Sequence, residues 1–197
     1  MTAENCKQRI QEAYLNLLSD KPSFTISQII EAANVSRPTY YRYYYNQQDI
    51  LEDIIEGFIS RLAASTSQIE APDFVPDTNR QHEAFTYQEL QCYRNNAELL
   101  RRLCMNSTAS SLLRARLYRH FSDCFDSWMR TSNEKYGVRM AYAQVDYELY
   151  RRFSFAGCYD VIITWVLNDC QTSCDVLLDF LLNMARGATR LYQLGKK

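Results

Sequence analysis

The stretch FTISQIIEAANVSRPTYYRYYYNQQDIL, residues 24–51, decides the fold. Within it Ile26, Ile29, Ile30 and Ala33 recur at helical period, so one face of a short helix is apolar. Thr25 stands where a side-chain oxygen can cap that helix, and Asn34, at its end, tolerates the left-handed backbone that a tight turn needs. Ser36 can cap a second helix opening on Arg37 and Pro38, where proline forfeits no internal hydrogen bond. Two short helices joined by a turn of about three or four residues form the unit that lays a helix in the DNA major groove. The outward chemistry agrees. No acidic residue occurs from Asn34 to Gln48, while Arg37, Thr39, Tyr41, Arg42 and Tyr43 supply donors at and after the start of the second helix. Arginine reads guanine bidentately, a threonine methyl touches thymine, and tyrosine hydroxyls reach phosphates.

Outward from this unit the chain reads as helix throughout. Upstream, Ile10, Ala13, Tyr14 and Leu17 mark a first amphipathic helix ending near Lys21 and Pro22. Downstream, Leu51, Ile54, Ile55, Phe58 and Leu62 mark a fourth, of about residues 47–69, that connects to the rest. The prolines Pro72 and Pro76 place a loop at residues 71–79. Beyond it, Leu113, Leu117, Phe121, Cys124 and Trp128 line a long helix that breaks around residues 132–137. Another runs over about 142–167, and Ser173 can cap a last helix in which Leu177, Leu181, Met184, Ala188 and Leu191 form a lengthwise seam. The expected class is all-α, with a DNA-binding helix-turn-helix domain at 1–46 and a helical ligand-binding and dimerisation bundle at 47–197.

Composition supports this and excludes other classes. Glycine and proline together number nine of 197 residues, under half the average share of about 12%, as long uninterrupted helices require. The net charge of −1 predicts no nucleic-acid coat, and over residues 1–55 five basic groups face seven acidic ones, so attraction to DNA must come from local placement. The amino terminus lacks the apolar core of a secretory signal and no run approaches a membrane span, so a cytoplasmic protein without membrane partners is expected. Seven scattered cysteines suit reduced thiols; Cys170 and Cys174 lack the CxxC spacing or nearby histidine of a zinc site, and neither metal nor cofactor is expected. With only His82 and His120 as histidines, and no glycine-rich phosphate loop, HExxH or GxSxG, an enzyme is not expected.

Residues 24–51 resemble the TetR family of transcriptional regulators. The pattern of threonine, apolar helix, turn, Val35-Ser36, then Thr39-Tyr40-Tyr41, an aromatic pair and an acidic residue before Leu51 agrees without gaps. The resemblance implies a homodimer with one helix-turn-helix per subunit and an all-helical ligand-sensing second domain. It implies Thr25 and Tyr41 at phosphates, and Arg37, Pro38, Thr39, Arg42 and Tyr43 at base edges or backbone; Ser36 and Gln47 complete the DNA-binding set. Three departures stand out. Asn34 replaces the usual glycine. Tyr44 replaces phenylalanine, so its hydroxyl needs a partner. Gln47 replaces a phosphate-binding lysine, which keeps open a second reading, a protein-interaction co-regulator with little direct DNA binding. The carboxy-terminal half resembles the dihydroxyacetone-kinase-regulator branch through Phe155-Ala156-Gly157, Trp165 and the last helix; Gly157 would permit close helix approach and Trp165 would anchor a helix end.

The expected homodimer interface pairs the last two helices through Tyr159, Ile163, Val166, Leu177, Leu181, Met184, Ala188 and Leu191. The small effector has three candidate contacts, His120, Trp128 and Asp160. Each also has an ordinary structural reading: a solvated arginine-rich face, with Arg114, Arg116 and Arg119, for His120 and Trp128, and a structural ion pair or partly solvated helix edge for Asp160. Partners expected are therefore operator DNA, a second copy and a small effector.

Overall fold

The computed structural model describes residues 3–21, 23–69, 80–136 and 147–193, with the side chains of the last helix described up to Met184. Nine helices occur among the described residues, and no strand. They are α1 (Ala3–Asp20), α2 (Ile26–Ala33), α3 (Arg37–Tyr41), α4 (Gln47–Thr66), α5 (Arg80–Asn95), α6 (Ala97–Cys104), α7 (Ser107–Tyr136), α8 (Tyr147–Leu167) and α9 (Cys174–Gln193). The expected loop at 71–79 and the start of the expected helix at 142–146 lie outside the described residues. The break foreseen around 132–137 does not open at its start, because α7 continues to Tyr136.

The chain forms two compact units, the first of which reaches past residue 46. One holds the chain to Ser60 together with Glu98–Arg116, the other Arg61–Ala97 and the chain from Leu117. The cause is continuity of α4, whose first turns bury Ile50, Leu51, Ile54, Ile55 and Phe58 in the first unit. There they share a core with Ile10, Ala13, Tyr14 and Leu18 of α1, Ile29 and Ala33 of α2, and Tyr40. Full burial of such a side chain contributes roughly 1.5–3 kcal/mol, so this face holds the helices together. Arg102 joins α6 to α1 through Glu12 at 3.0 Å and Asn16 at 2.6 Å. Arg116 of α7 meets Glu52 and Glu56 of α4 at 3.5 and 3.3 Å.

In the second unit α5 packs against α8 and α9, and Phe85, Phe125 and Trp128 form a buried cluster. Aromatic contacts run from Tyr118 to Phe155 (5.1 Å between centroids), Phe155 to Tyr159 (5.4 Å) and Phe121 to Phe155 (5.6 Å). The α8–α9 turn places Asp169 and Cys170 at positive φ, and the Trp165 indole N–H donates to the Thr172 carbonyl at 2.8 Å, anchoring the helix end. Ser173 Oγ accepts from the Val176 N–H at 3.3 Å and caps α9. Gly157 does not serve a close approach: a Cβ there would meet nothing within 4 Å.

Candidate nucleic-acid interface

Local chemistry builds the turn between α2 and α3. Thr25 caps α2 reciprocally: its Oγ1 accepts from the Gln28 N–H at 3.3 Å, while the Thr25 N–H donates to Gln28 Oε1 at 2.8 Å. Asn34 ends the helix in the left-handed region at φ 49°. Arg9 of α1 donates to the carbonyls of Ala33 and Asn34, so a cation satisfies the acceptors left open at the helix C-terminus. Ser36 Oγ then accepts from the Thr39 N–H at 3.2 Å and lies 2.8 Å from the Thr39 hydroxyl.

α3 is a single short helix of five residues. It ends at Tyr41, with Arg42 as its C-cap, and the N–H groups of Tyr43 and Tyr44 both donate to the Tyr40 carbonyl. This tightening lets Tyr40 and Tyr44 point inward, both buried, while Tyr41, Arg42 and Tyr45 stay exposed. The Arg37 guanidinium lies 5.9 Å from the Tyr41 ring centroid. Arg42 lies 5.0 Å over the Tyr43 ring and donates to its hydroxyl at 3.2 Å. Each arginine thus rests on an aromatic face that orients it while leaving it charged and exposed.

Thr25, Ser36, Arg37, Pro38 and Arg42 are exposed, and Thr39, Tyr43 and Gln47 half-buried. Gln47 does not reach outward as a lysine would. Its Nε2 donates to the Phe24 carbonyl at 2.7 Å, fastening the start of α4 beside the start of α2. The start of α4 is further secured by Asp49, whose carboxylate accepts from the N–H groups of Tyr45 and Asn46, while Asn46 Oδ1 accepts from the Asp49 N–H. The reading from sequence passed over Tyr45, which is 82% exposed. The alternation of inward Tyr40 and Tyr44 with outward Tyr41, Tyr43 and Tyr45 was the available signal.

In the second unit, Trp128 is buried with Phe85 edge-on at 4.9 Å, a core ring. Asp160 is exposed, not buried, because it faces out of α8 into an open groove of about 760 Å³ between α8 and α9. Val161, Thr164, Val176 and Phe180 also line that groove. Of the expected interface, Tyr159, Ile163, Val166, Leu177 and Leu181 are buried within the chain's own unit, whereas Met184 is exposed. Ala188 and Leu191 lie outside the described side chains. The exposed large apolar residues of this helix pair are Leu149, Phe153 and Leu167 on α8 and Val176, Phe180 and Met184 on α9. His120 is half-buried and faces α5 rather than solvent.

An all-helical chain with a capped helix-turn-helix and a further helical unit has the architecture of the helix-turn-helix class. Residues 81–187, over half the chain, match the model of a TetR carboxy-terminal family, the transcriptional regulator C-terminal region. The chain belongs to the TetR family of transcriptional regulators. The fold is shared with a TetR-family regulator from Syntrophomonas wolfei (TM-score 0.66, 18% identity, 94% of this chain and 95% of that one). It is shared also with the fatty acid degradation regulator FadR from Bacillus halodurans (0.61, 16%, 90% and 96%). The dihydroxyacetone kinase operon activator DhaS is likewise similar (0.58, 14%, 94% and 97%), which supports that branch only loosely. No curated protein matches the sequence. Among the described residues no helix is long and apolar enough to cross a membrane.

Proposed function

We propose that this family member is a cytoplasmic, homodimeric repressor that binds double-stranded operator DNA through α3 and changes affinity when a small effector enters its helical bundle. Residues 1–46 bind DNA, and 47–197 hold the effector and the dimer contact. The observation that supports this best is the exposed pair Arg37 and Arg42, each resting on a tyrosine in a segment free of acidic side chains from Asn34 to Gln48. Tyr41, Tyr43 and the exposed Tyr45 add hydroxyls for phosphates, and Thr25, Ser36, Pro38 and Thr39 complete the contact surface. Effector binding acts by favouring one of two conformations of the dimer.

The second copy docks on the outward face of α8 and α9. Phe153, Val176, Phe180 and Met184 are among the exposed apolar side chains available for it, since most of the inward seam is already buried. A protein-interaction co-regulator is the second reading. One observation favours it: Gln47 is bonded to Phe24 and offers no cation to phosphate. The test is binding of the purified protein to genomic fragments, including its own upstream region, at low and physiological salt. Sequence-selective binding that weakens in Arg37→Ala by roughly 1–3 kcal/mol establishes the operator-binding reading. Weak, salt-erased and unselective binding establishes the co-regulator instead.

A further inference from the structure

From Phe153 to Met184 the chain holds four aspartates and no lysine, arginine or histidine. From residue 185 onward the balance reverses, with Arg186, Arg190, Lys196 and Lys197 and no acidic residue. The change of sign falls within one element, α9, which spans Cys174–Gln193. Asp175 and Asp179 lie on its exposed side, and among the described residues neither has an ion-pair partner.

At roughly 100° of rotation per residue, positions 175, 179, 186 and 190 share a stripe about 60° wide along the helix. Like charges four residues apart repel, so Asp175 with Asp179, and Arg186 with Arg190, each work against an isolated helix. The two halves cannot neutralise each other within one helix, because even Asp179 and Arg186 are separated by about 10 Å of axial rise. The helix dipole accounts for only part of the pattern. Its influence is confined to the first and last turns, and Asp179 and Arg186 fall inward of both.

Beside the charged stripe runs an apolar one. Val176, Phe180 and Met184 are its exposed members, and the sequence continues it through Gly187 and Leu191 at helical period. The charged stripe is its own complement when the helix is reversed: acid, acid, base, base meets base, base, acid, acid, with steps of four, seven and four residues from either end.

We infer that α9 lies antiparallel against the α9 of a second copy, in a register set by this charge stripe. The inference rests on the reading of the α8–α9 face as the dimer contact and names its geometry. Asp175 then faces Arg190 of the partner subunit, Asp179 faces Arg186 of the partner subunit, and the two-fold axis repeats both pairs. Phe180 falls opposite Gly187 of the partner subunit, large against small, and Val176 opposite Leu191 of the partner subunit. The exposed Asn183 sits near the axis, where an amide that both donates and accepts can bond to its own copy. A parallel pairing would set aspartate against aspartate and arginine against arginine along the whole stripe, which repels. A different partner carrying charge of one sign would match only half of it.

The test is sedimentation equilibrium of the full-length protein at low and high salt, with helix content checked by circular dichroism. Three variants are compared with the parent: the all-basic Asp175→Lys/Asp179→Lys, the all-acidic Arg186→Glu/Arg190→Glu, and the full exchange combining all four substitutions. The parent dimer weakens as salt rises, and each half-variant dissociates at least about tenfold more readily than the parent at low salt. The full exchange restores dimerisation, because it keeps every opposite-charge pair of the antiparallel register. A role confined to the helix dipole predicts the opposite, since the exchange inverts the charges at both helix ends. Half-variants that dimerise as tightly as the parent, or a full exchange that stays as weak as they are, overturn the inference while the dimer reading stands. A parent that sediments as one chain at every concentration overturns both.

Discussion

The Tyr44 hydroxyl donates to Asp53 Oδ2 at 2.6 Å, and this bond makes a tyrosine acceptable where its family carries phenylalanine. Asp53 also accepts from Gln11 at 2.7 Å and pairs with Lys7 at 2.8 Å, so one carboxylate ties α1, α4 and the end of the helix-turn-helix together. Gln11 Nε2 lies within reach of the Tyr44 oxygen as well, at 3.1 Å. Burial alone would raise the Asp53 carboxyl, but bonds from Lys7, Tyr44 and Gln11 outweigh it and hold it below its ordinary value.

Tyr40 and Tyr44 therefore respond oppositely to the same substitution. The Tyr40 hydroxyl is buried without a hydrogen-bond partner, and burial pushes it up to about 12. Tyr40→Phe is expected to be neutral or to stabilise by up to about 1 kcal/mol, because it removes an unsatisfied polar group. Tyr44→Phe is expected to destabilise by about 1 kcal/mol, no more, since Asp53 keeps Lys7 and Gln11. Urea unfolding midpoints of the two variants check both signs; a loss of stability in Tyr40→Phe contradicts the assignment.

Asp53→Asn carries a pH signature. A carboxyl held below its unfolded pKa contributes stability that is present above that unfolded value and is lost as pH falls through the folded one. The variant is thus less stable than the parent at neutral pH, and the gap closes in acid. Thermal melts from neutral to acid pH read this directly.

Glu89 has the reverse sign. Its folded pKa of about 8 lies above the unfolded value of 4.5, so the native state binds the extra proton between them and stability falls as pH rises through that window. Glu89→Gln should gain on the parent towards pH 8, by on the order of 1 kcal/mol, or roughly 2–4 °C in melting temperature. The difference should shrink towards pH 5. A gap independent of pH would mean that burial does not govern this carboxyl.

Gln47→Lys restores a cation at the cost of the bond to the Phe24 carbonyl. If the operator-binding proposal holds, the slope of log affinity against log salt steepens by about 0.9 per added phosphate contact, and binding tightens at low salt. Filter binding over a salt series measures it. An unchanged slope would place residue 47 away from phosphate.

Phe180→Asp and Leu181→Ala separate the two faces of α9. Phe180 is exposed, so its charged replacement should leave the helix content intact while lowering the sedimentation mass to that of one chain. Leu181 is buried in the chain itself, and its truncation should cost about 2–5 kcal/mol of stability. A dimer that survives Phe180→Asp would move the interface elsewhere.

Much of the DNA-binding unit was legible in residues 24–51, because caps, turn residues and short apolar faces act over three or four neighbours. Thr25, Asn34, Ser36 and Pro38 do locally what their chemistry predicts. The same reading could not tell where α3 stops, since Tyr43 and Tyr44 leave the helix only when Tyr44 finds Asp53, nine residues away.

For the second unit, spacing revealed that α8 and α9 are apolar along their length but not which stripe is inward. Both Leu177-Leu181 and Val176-Phe180 recur at helical period, and only packing against α5 buried the first pair and left the second outside. For Asp160 the apolar neighbours left a buried carboxylate and a solvated helix edge both open, and packing put it at the exposed edge. Glu89 gave no signal at all in the sequence. A carboxylate on an amphipathic helix is ordinarily solvated, and its meeting with His120 depends on α5 and α7, which are separate in the chain, being packed face to face. Helix type and capping are set by contacts along the chain, whereas the identity of an inner face, and the pKa of a group upon it, are set by contacts across it.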